Sequence, residues 1–299
     1  MSVSFEIRGV VPPLLTPLTD NGERLDEEAL RTHVTWLIDK GVHGVMPCGT
    51  TGEGPLLAVS ERKRVVEVVV EAVAHRVPVL AHVGTLTTHE TIDMARHAQG
   101  CGVEAISVVT PYYFQLPEEA LVRHFCRVAD AVADTPVFLY NIPQNTGNAI
   151  SISAVEAIIA RCPNVVGIKD SSGNKDTLLS LMGLNEGRFQ VVCGNDSLLS
   201  YALEAGACAS VSGNANVFPE VVVGLFRAFW QGDLDGVRRQ QERLNQVIES
   251  LQGGPTLSLF KRILELRGLK EGVVRPPLPE ATRDTLINTQ QKLRSYQLL

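Results

Sequence analysis

The sequence predicts an α/β protein of the (β/α)8 TIM-barrel class with a C-terminal helical extension. Three observations lead there: eight short runs rich in Val, Ile and Leu, amphipathic stretches between them, and brief Gly- or Pro-bearing connections. The expected strands are residues 9–15, 44–48, 77–83, 105–110, 137–141, 165–170, 190–194 and 209–213. Eight strand–helix units close most economically as a barrel, whose functional groups stand at the carboxyl ends of the strands. A doubly wound open sheet is the competing topology, but no G-x-G-x-x-G follows the first strand.

The helices between the strands have their own start signals. Asp26 precedes a helix through Leu30, Val34 and Leu37 that stops at Lys40-Gly41. Pro117 takes a first-turn position before Leu121, Phe125, Val128, Ala129 and Val132, which share one face, and Ser153 with Glu156 matches a capping box. From about Asp233 the pattern changes to long helical stretches without strands, then Arg275-Pro276-Pro277-Leu278-Pro279 and a last polar helix. The expected organisation is a barrel over residues 1–232 and a packed extension over 233–299.

Composition narrows the function classes. With 44% apolar and 20% charged residues and a net charge of −6 of mixed pattern, the chain is globular and lacks the basic stripe that a phosphate backbone requires, so no nucleic-acid partner is expected. The six cysteines are scattered without a C-x-x-C pair and read as reduced core residues. No signal-peptide pattern and no membrane-length apolar run is present, which places the protein in the cytoplasm.

Of the seven lysines, six lie in polar surroundings, whereas Lys169 sits in the apolar run Val165-Val166-Gly167-Ile168-Lys169, a buried parallel strand by pattern. An ammonium taken out of water gives up its hydration, so burial favours the neutral amine, and a neutral amine is the nucleophile of Schiff-base chemistry. The bland alternative is a lysine that ends an edge strand and points at water.

With a barrel assumed, the other strand ends form one surface. After the second strand, Gly49-Thr50-Thr51-Gly52-Glu53-Gly54 lacks the P-loop spacing, but its amides suit a small carboxylate. Three of the five tyrosines cluster after strands four and five, in Thr110-Pro111-Tyr112-Tyr113-Phe114 and Tyr140-Asn141-Ile142-Pro143, where a phenol can relay protons and polarise a carbonyl. Gly194-Asn195-Asp196 and Ser212-Gly213-Asn214 follow strands seven and eight and serve equally well as turns or backbone contacts. The seven histidines show no zinc-type spacing, and only His82 lies on an expected strand.

Taken in order, Gly49-Thr50-Thr51-Gly52-Glu53, Thr110-Pro111-Tyr112-Tyr113, Tyr140-Asn141-Ile142-Pro143 and Gly167-Ile168-Lys169-Asp170 resemble the dihydrodipicolinate synthase / N-acetylneuraminate lyase family of class I aldolases, over almost the whole chain. The resemblance implies a homotetramer, a dimer of dimers, with no external cofactor and no metal: Lys169 forms the imine with pyruvate or another 2-oxo acid, and Tyr140 is the acid–base beside it. It implies further that Thr51, Gly49 and the loop amides hold the carboxylate, and that Thr50 and Tyr113 complete a proton relay in which Tyr113 reaches the adjoining subunit. The backbones of Gly194 and Val211 flank the pyruvate. Synthases of the family place an arginine in the turn after the strand-five tyrosine to bind the semialdehyde carboxylate, and here Gln144-Asn145-Thr146-Gly147 offers Asn145 instead. Gly52-Glu53-Gly54-Pro55-Leu56 and Pro111-Tyr112-Tyr113-Phe114 look more like the 2-keto-3-deoxygluconate aldolases, and Leu86 and Gly54 stand where the family's lysine-feedback site has polar ligands.

The expected function is therefore a class I lyase acting on a 2-oxo acid and an aldehyde, with a 2-keto-3-deoxy sugar acid as substrate. Dihydrodipicolinate synthesis from pyruvate and aspartate semialdehyde is the alternative. Two further classes stand beside it: a metal-dependent aldolase or isomerase using His82 with acidic loop residues, and a non-catalytic keto-acid-binding barrel.

Overall fold

The computed structural model describes residues 5–252 and 256–299. Strands and helices alternate as in a (β/α)8 barrel, and further helices follow. The chain forms two compact units, one of Gly9–Val77 with Ser212–Leu299 and one of the residues up to Arg8 with Pro78–Val211. No described helix is long and apolar enough to cross a membrane.

The first unit holds β1 (Gly9–Val10) and an unforeseen antiparallel hairpin, β2 (Leu18–Thr19) with β3 (Arg24–Leu25). The first two expected strands are much shorter than their apolar runs. They run side by side through His43 N–H to Val10 O at 2.8 Å, Met46 N–H to Pro12 O at 2.9 Å and Leu14 N–H to Met46 O at 2.9 Å. Pro12, Pro13 and Pro47 have no N–H to extend that ladder, and Cys48 turns left-handed at φ 63°. Asp26 caps the helix Glu27–Asp39 by accepting Ala29 N–H at 3.1 Å, and Gly41 leaves it at φ 85°, where a Cβ would be strained. The tail forms the helices Leu234–Leu251, Thr256–Leu266 and Arg283–Ser295. The boundary expected at 232/233 falls in the turn between Pro219–Trp230 and the first of these.

The second unit holds β4 (Leu80–His82), β5 (Ala105–Val109), β6 (Val137–Asn141), β7 (Val165–Asp170), β8 (Gln190–Cys193) and β9 (Ala209–Ser210), all parallel and each paired to the next. Register aligns Val109 with Tyr140, Tyr140 with Lys169 and Lys169 with Val192. At the other end of these strands, Gln190 accepts Ile7 N–H at 2.9 Å and donates to Phe5 O at 2.6 Å, and the Phe5 ring stands edge-on to Phe138.

Two helix starts differ from expectation. Pro117 precedes the helix Glu118–Ala131 as its cap residue and is not in the first turn. The cap of Ile152–Ile159 is Ser151, which accepts Ala154 N–H at 3.0 Å, because Ser153 is already helical and its hydroxyl turns to Glu118.

His124, on the first of these helices, is buried with Nδ1 2.9 Å from Thr88 Oγ1 and Nε2 without a hydrogen-bond partner among the described residues. Burial lowers its pKa to about 4, because the imidazolium loses its hydration there. The unfolded chain therefore binds the proton first. The stabilising term is complete above pH 6.5 and fades as pH falls toward 4. Between pH 7 and 4.5 the native protein should lose about 2 kcal/mol more than a His124→Leu variant. Urea unfolding at both pH values measures this, and parallel losses would refute it.

Candidate active site

The sequence-predicted residues fall into two groups, one in each unit. In the second unit, Lys169 ends β7 with 4% of its surface exposed, so the edge-strand alternative does not apply. Its Nζ lies 3.8 Å from the centroid of the Tyr140 ring, which is 2% exposed on the adjacent strand. An amine over a π face is favourable in either protonation state, but the ring is no counter-ion, and Lys169 makes no ion pair among the described residues. On the other side a Cβ at position 194 would run into Ser171 Oγ and come within 3.1 Å of Lys169 Cε, so glycine there leaves the lysine its room. The His82 ring stands edge-on to Tyr140 at 5.7 Å between centroids.

Of the two residues whose backbones are expected to flank a ligand, both amides are already used. Gly194 N–H donates to Asp170 O at 2.8 Å and Val211 N–H to Cys193 O at 2.9 Å, which leaves only their carbonyls to face a guest. Asn145 lies exposed in the short helix Pro143–Thr146. Tyr113 is 86% exposed, at φ 78°, with its ring edge-on to Phe114. A left-handed φ is costly for a residue with a Cβ, and Asn148 supplies the restraint: it donates to Pro111 O at 2.9 Å and Phe114 O at 2.7 Å and accepts Leu116 N–H at 2.8 Å. Sequence reasoning passed over Asn148, although it is the kind of residue whose amide serves three backbone groups at once.

Asp170, next to the lysine, was also passed over as a site residue. Asn141 donates to one of its oxygens at 2.7 Å and Ser172 to the other at 2.7 Å. Burial raises its pKa, and those two bonds oppose the rise. The Asn141 Oδ1 then takes Ile150 N–H at 3.1 Å, so the ends of β6 and β7 are tied through side chains.

In the first unit, the Gly49–Glu53 segment folds back on itself. Gly52 N–H and Gly54 N–H donate to Gly49 O at 3.1 and 3.0 Å, and Glu53 N–H donates to Thr50 O at 3.1 Å. These amides are therefore not available to a ligand, contrary to the expectation that the loop amides as a group hold a carboxylate. Thr51, half-buried, keeps both its amide and its hydroxyl without a partner among the described residues.

Lys169 is not the only lysine out of water: Lys261, in Thr256–Leu266, is 0% exposed. Its Nζ lies 2.7 Å from Glu53 Oε1 and donates to Thr16 O at 2.7 Å and Val273 O at 2.6 Å. Burial lowers its pKa, against the pull of Glu53. The signal was present, since Lys261 stands three residues from both Ser258 and Leu264, on the buried face of its helix. The two lysines differ in kind: Lys261 is saturated with acceptors, and Lys169 is not. Among the described residues, no three His, Cys, Asp or Glu side chains converge as metal ligands.

Parallel strands with alternating helices, and a buried strand-end lysine over a tyrosine ring, match the arrangement expected of a barrel lyase of the class I aldolase type. The sequence matches the dihydrodipicolinate synthetase family over residues 6–295, and the chain belongs to that family. It is thus a pyruvate-dependent lyase. It is 42% identical to an uncharacterised DapA-like lyase of Halobacterium salinarum, over 91% of this chain and 88% of the other. It is 36% identical to the 4-hydroxy-tetrahydrodipicolinate synthase of Methanopyrus kandleri, over 99% of both. Among solved structures, YagE of Escherichia coli K12, a prophage protein of the dihydrodipicolinic acid synthase family in complex with pyruvate, superposes with a TM-score of 0.93 at 31% identity, covering 98% of this chain and 99% of that one.

Proposed function

We propose that the protein forms and cleaves a carbon–carbon bond next to the carbonyl of a 2-oxo acid through an imine at Lys169, and that the preferred substrate is a 2-keto-3-deoxy sugar acid. The carrying observation is the Lys169 amine itself: buried, without a counter-ion, and held between the Tyr140 face and Gly194. The amine adds to the substrate C2, and the carbinolamine loses its oxygen as water to leave an iminium. That cation draws electrons from the C3–C4 bond, which breaks to an enamine and an aldehyde as the C4 hydroxyl gives up its proton. Protonation at C3 and hydrolysis return pyruvate and the free amine. In this scheme the Tyr140 phenol moves protons to and from the reacting oxygens, Thr50 and Tyr113 extend the relay, and Thr51 with Gly49 receives the carboxylate. The Gly194 and Val211 carbonyls bound the same guest. No external cofactor enters the scheme.

Incubation with pyruvate and borohydride followed by peptide mapping tests the shared step: a reduced adduct on Lys169 supports it, and an unmodified Lys169 refutes it. The exposed Tyr113 suits the homotetramer that the family resemblance implies, and sedimentation velocity tests that assembly.

The sugar-acid preference rests on Asn145, an exposed neutral amide where the family's synthases bind a carboxylate with arginine. Dihydrodipicolinate synthesis is the second reading, favoured by the name of the Methanopyrus relative. Asn145→Arg should raise relative kcat/KM for a carboxylated aldehyde over an uncharged polyol aldehyde by about tenfold or more, the scale of one charge-assisted hydrogen bond. Equal ratios in the two enzymes would show that the turn does not touch the acceptor.

A further inference from the structure

Thr51 is followed by two residues that are pinned from outside their loop. Gly52 O accepts the Thr16 hydroxyl at 2.7 Å. Glu53, left-handed at φ 58°, sends its carboxylate inward, where Oε1 lies 2.7 Å from Lys261 Nζ and Oε2 accepts Arg275 N–H at 2.6 Å. The same Lys261 ammonium donates to Thr16 O at 2.7 Å. One buried cation therefore holds Glu53 directly and Gly52 through Thr16.

Among the carboxylates acting on Lys261, Glu53 comes first, ahead of Glu271 and Glu280. His33 and Glu271 are also 0% exposed, 3.2 Å apart, and burial lowers the histidine pKa to about 4 while raising that of the glutamate well above its ordinary value. Glu53 is the carboxylate at ion-pair distance from Lys261. Arg275 adds a second tether, since its guanidinium makes two bonds to Glu61, at 2.6 and 2.8 Å. Phe260, beside Lys261 on the helix, reaches the same place from another direction: a Cβ on Gly213 would lie 3.5 Å from the Phe260 ring and 3.6 Å from Thr51 Oγ1.

We propose that Lys261 is a positioning residue for substrate binding: through Glu53 and Thr16 it sets the orientation of the Thr51 amide and hydroxyl, so that the C-terminal helix Thr256–Leu266 governs affinity for the 2-oxo acid carboxylate. The inference rests on the reading of Thr51 as carboxylate donor. It assigns Lys261 no contact with substrate.

The test measures borohydride trapping of pyruvate on Lys169, as a function of pyruvate concentration, in the full-length wild type and in Lys261→Met, Glu53→Gln and the double variant. Lys261→Met should raise the half-saturating concentration about tenfold or more, because small displacements of positioning groups weigh heavily on binding. Trapping at saturation should still go to completion. The double variant should resemble Lys261→Met and not the product of the two single effects, as members of one network do. A merely structural lysine would lower Tm and leave half-saturation where it was, and that result in folded variants overturns the proposal. Should Lys261→Met not fold, Thr16→Val, which removes only the hydroxyl on Gly52 O, is read in the same way. Failure of the wild type to trap pyruvate at Lys169 sinks the imine reading and this inference together, whereas trapping with unmoved half-saturation sinks only this one.

Discussion

Replacement of Lys169 by alanine is expected to abolish turnover, with kcat/KM falling by on the order of 10³-fold or more, as for other covalent nucleophiles. Borohydride should then fix no pyruvate. The same variant should fold as well as the wild type. Lys169 has no ion-pair partner among the described residues, so its removal strands no buried anion, and the aromatic face beneath Nζ loses only a modest attraction. A Tm equal to or above that of the wild type, together with lost trapping, separates a chemical role from a structural one. Undiminished trapping would place the imine on another lysine, and Lys261 is the only other buried one among the described residues.

Tyr140→Phe should be the next most damaging change. The ring that lines the amine is kept, so a 2-oxo acid should still bind and be trapped, more slowly. What is lost is the hydroxyl that shuttles protons during carbinolamine collapse and bond cleavage, a contribution of about 10²–10⁴-fold in kcat for general acid–base catalysis. The diagnostic pattern is a large fall in kcat with KM changed little. If kcat remains within about threefold of the wild type, the phenol is not the acid–base.

Much of this architecture was legible in the sequence because buried parallel strands are continuous apolar runs. Val137–Asn141 and Val165–Asp170 appear with the bounds their composition suggests. The first two strands were overextended, because their runs contain prolines that keep the apolar character and remove ladder donors. Lys169 could be read from its strand. Lys261 carried a weaker signal, its place on the apolar face of its helix, because a lysine within an amphipathic helix usually extends to the surface, and the distant Glu53 with the Thr16 and Val273 carbonyls makes its burial tolerable. The use of the loop amides was hidden for a related reason. A glycine-rich turn looks like a nest of free donors until its fold shows Gly52, Glu53 and Gly54 spending theirs on Gly49 and Thr50.

The contact between Glu53 and Lys261 also constrains how this chain can change over generations. The two positions lie far apart in sequence, yet losing either alone leaves an unpaired charge in the interior, a defect of about 3–5 kcal/mol and a large share of a typical domain's stability. Exchanging both for apolar residues of matching volume would be far milder for folding, but it would release the turn that presents Thr51. Positions 53 and 261 are thus expected to change together, and joining an amino-terminal half from one homologue to a carboxyl-terminal half from another should succeed best where both parents carry the same couple.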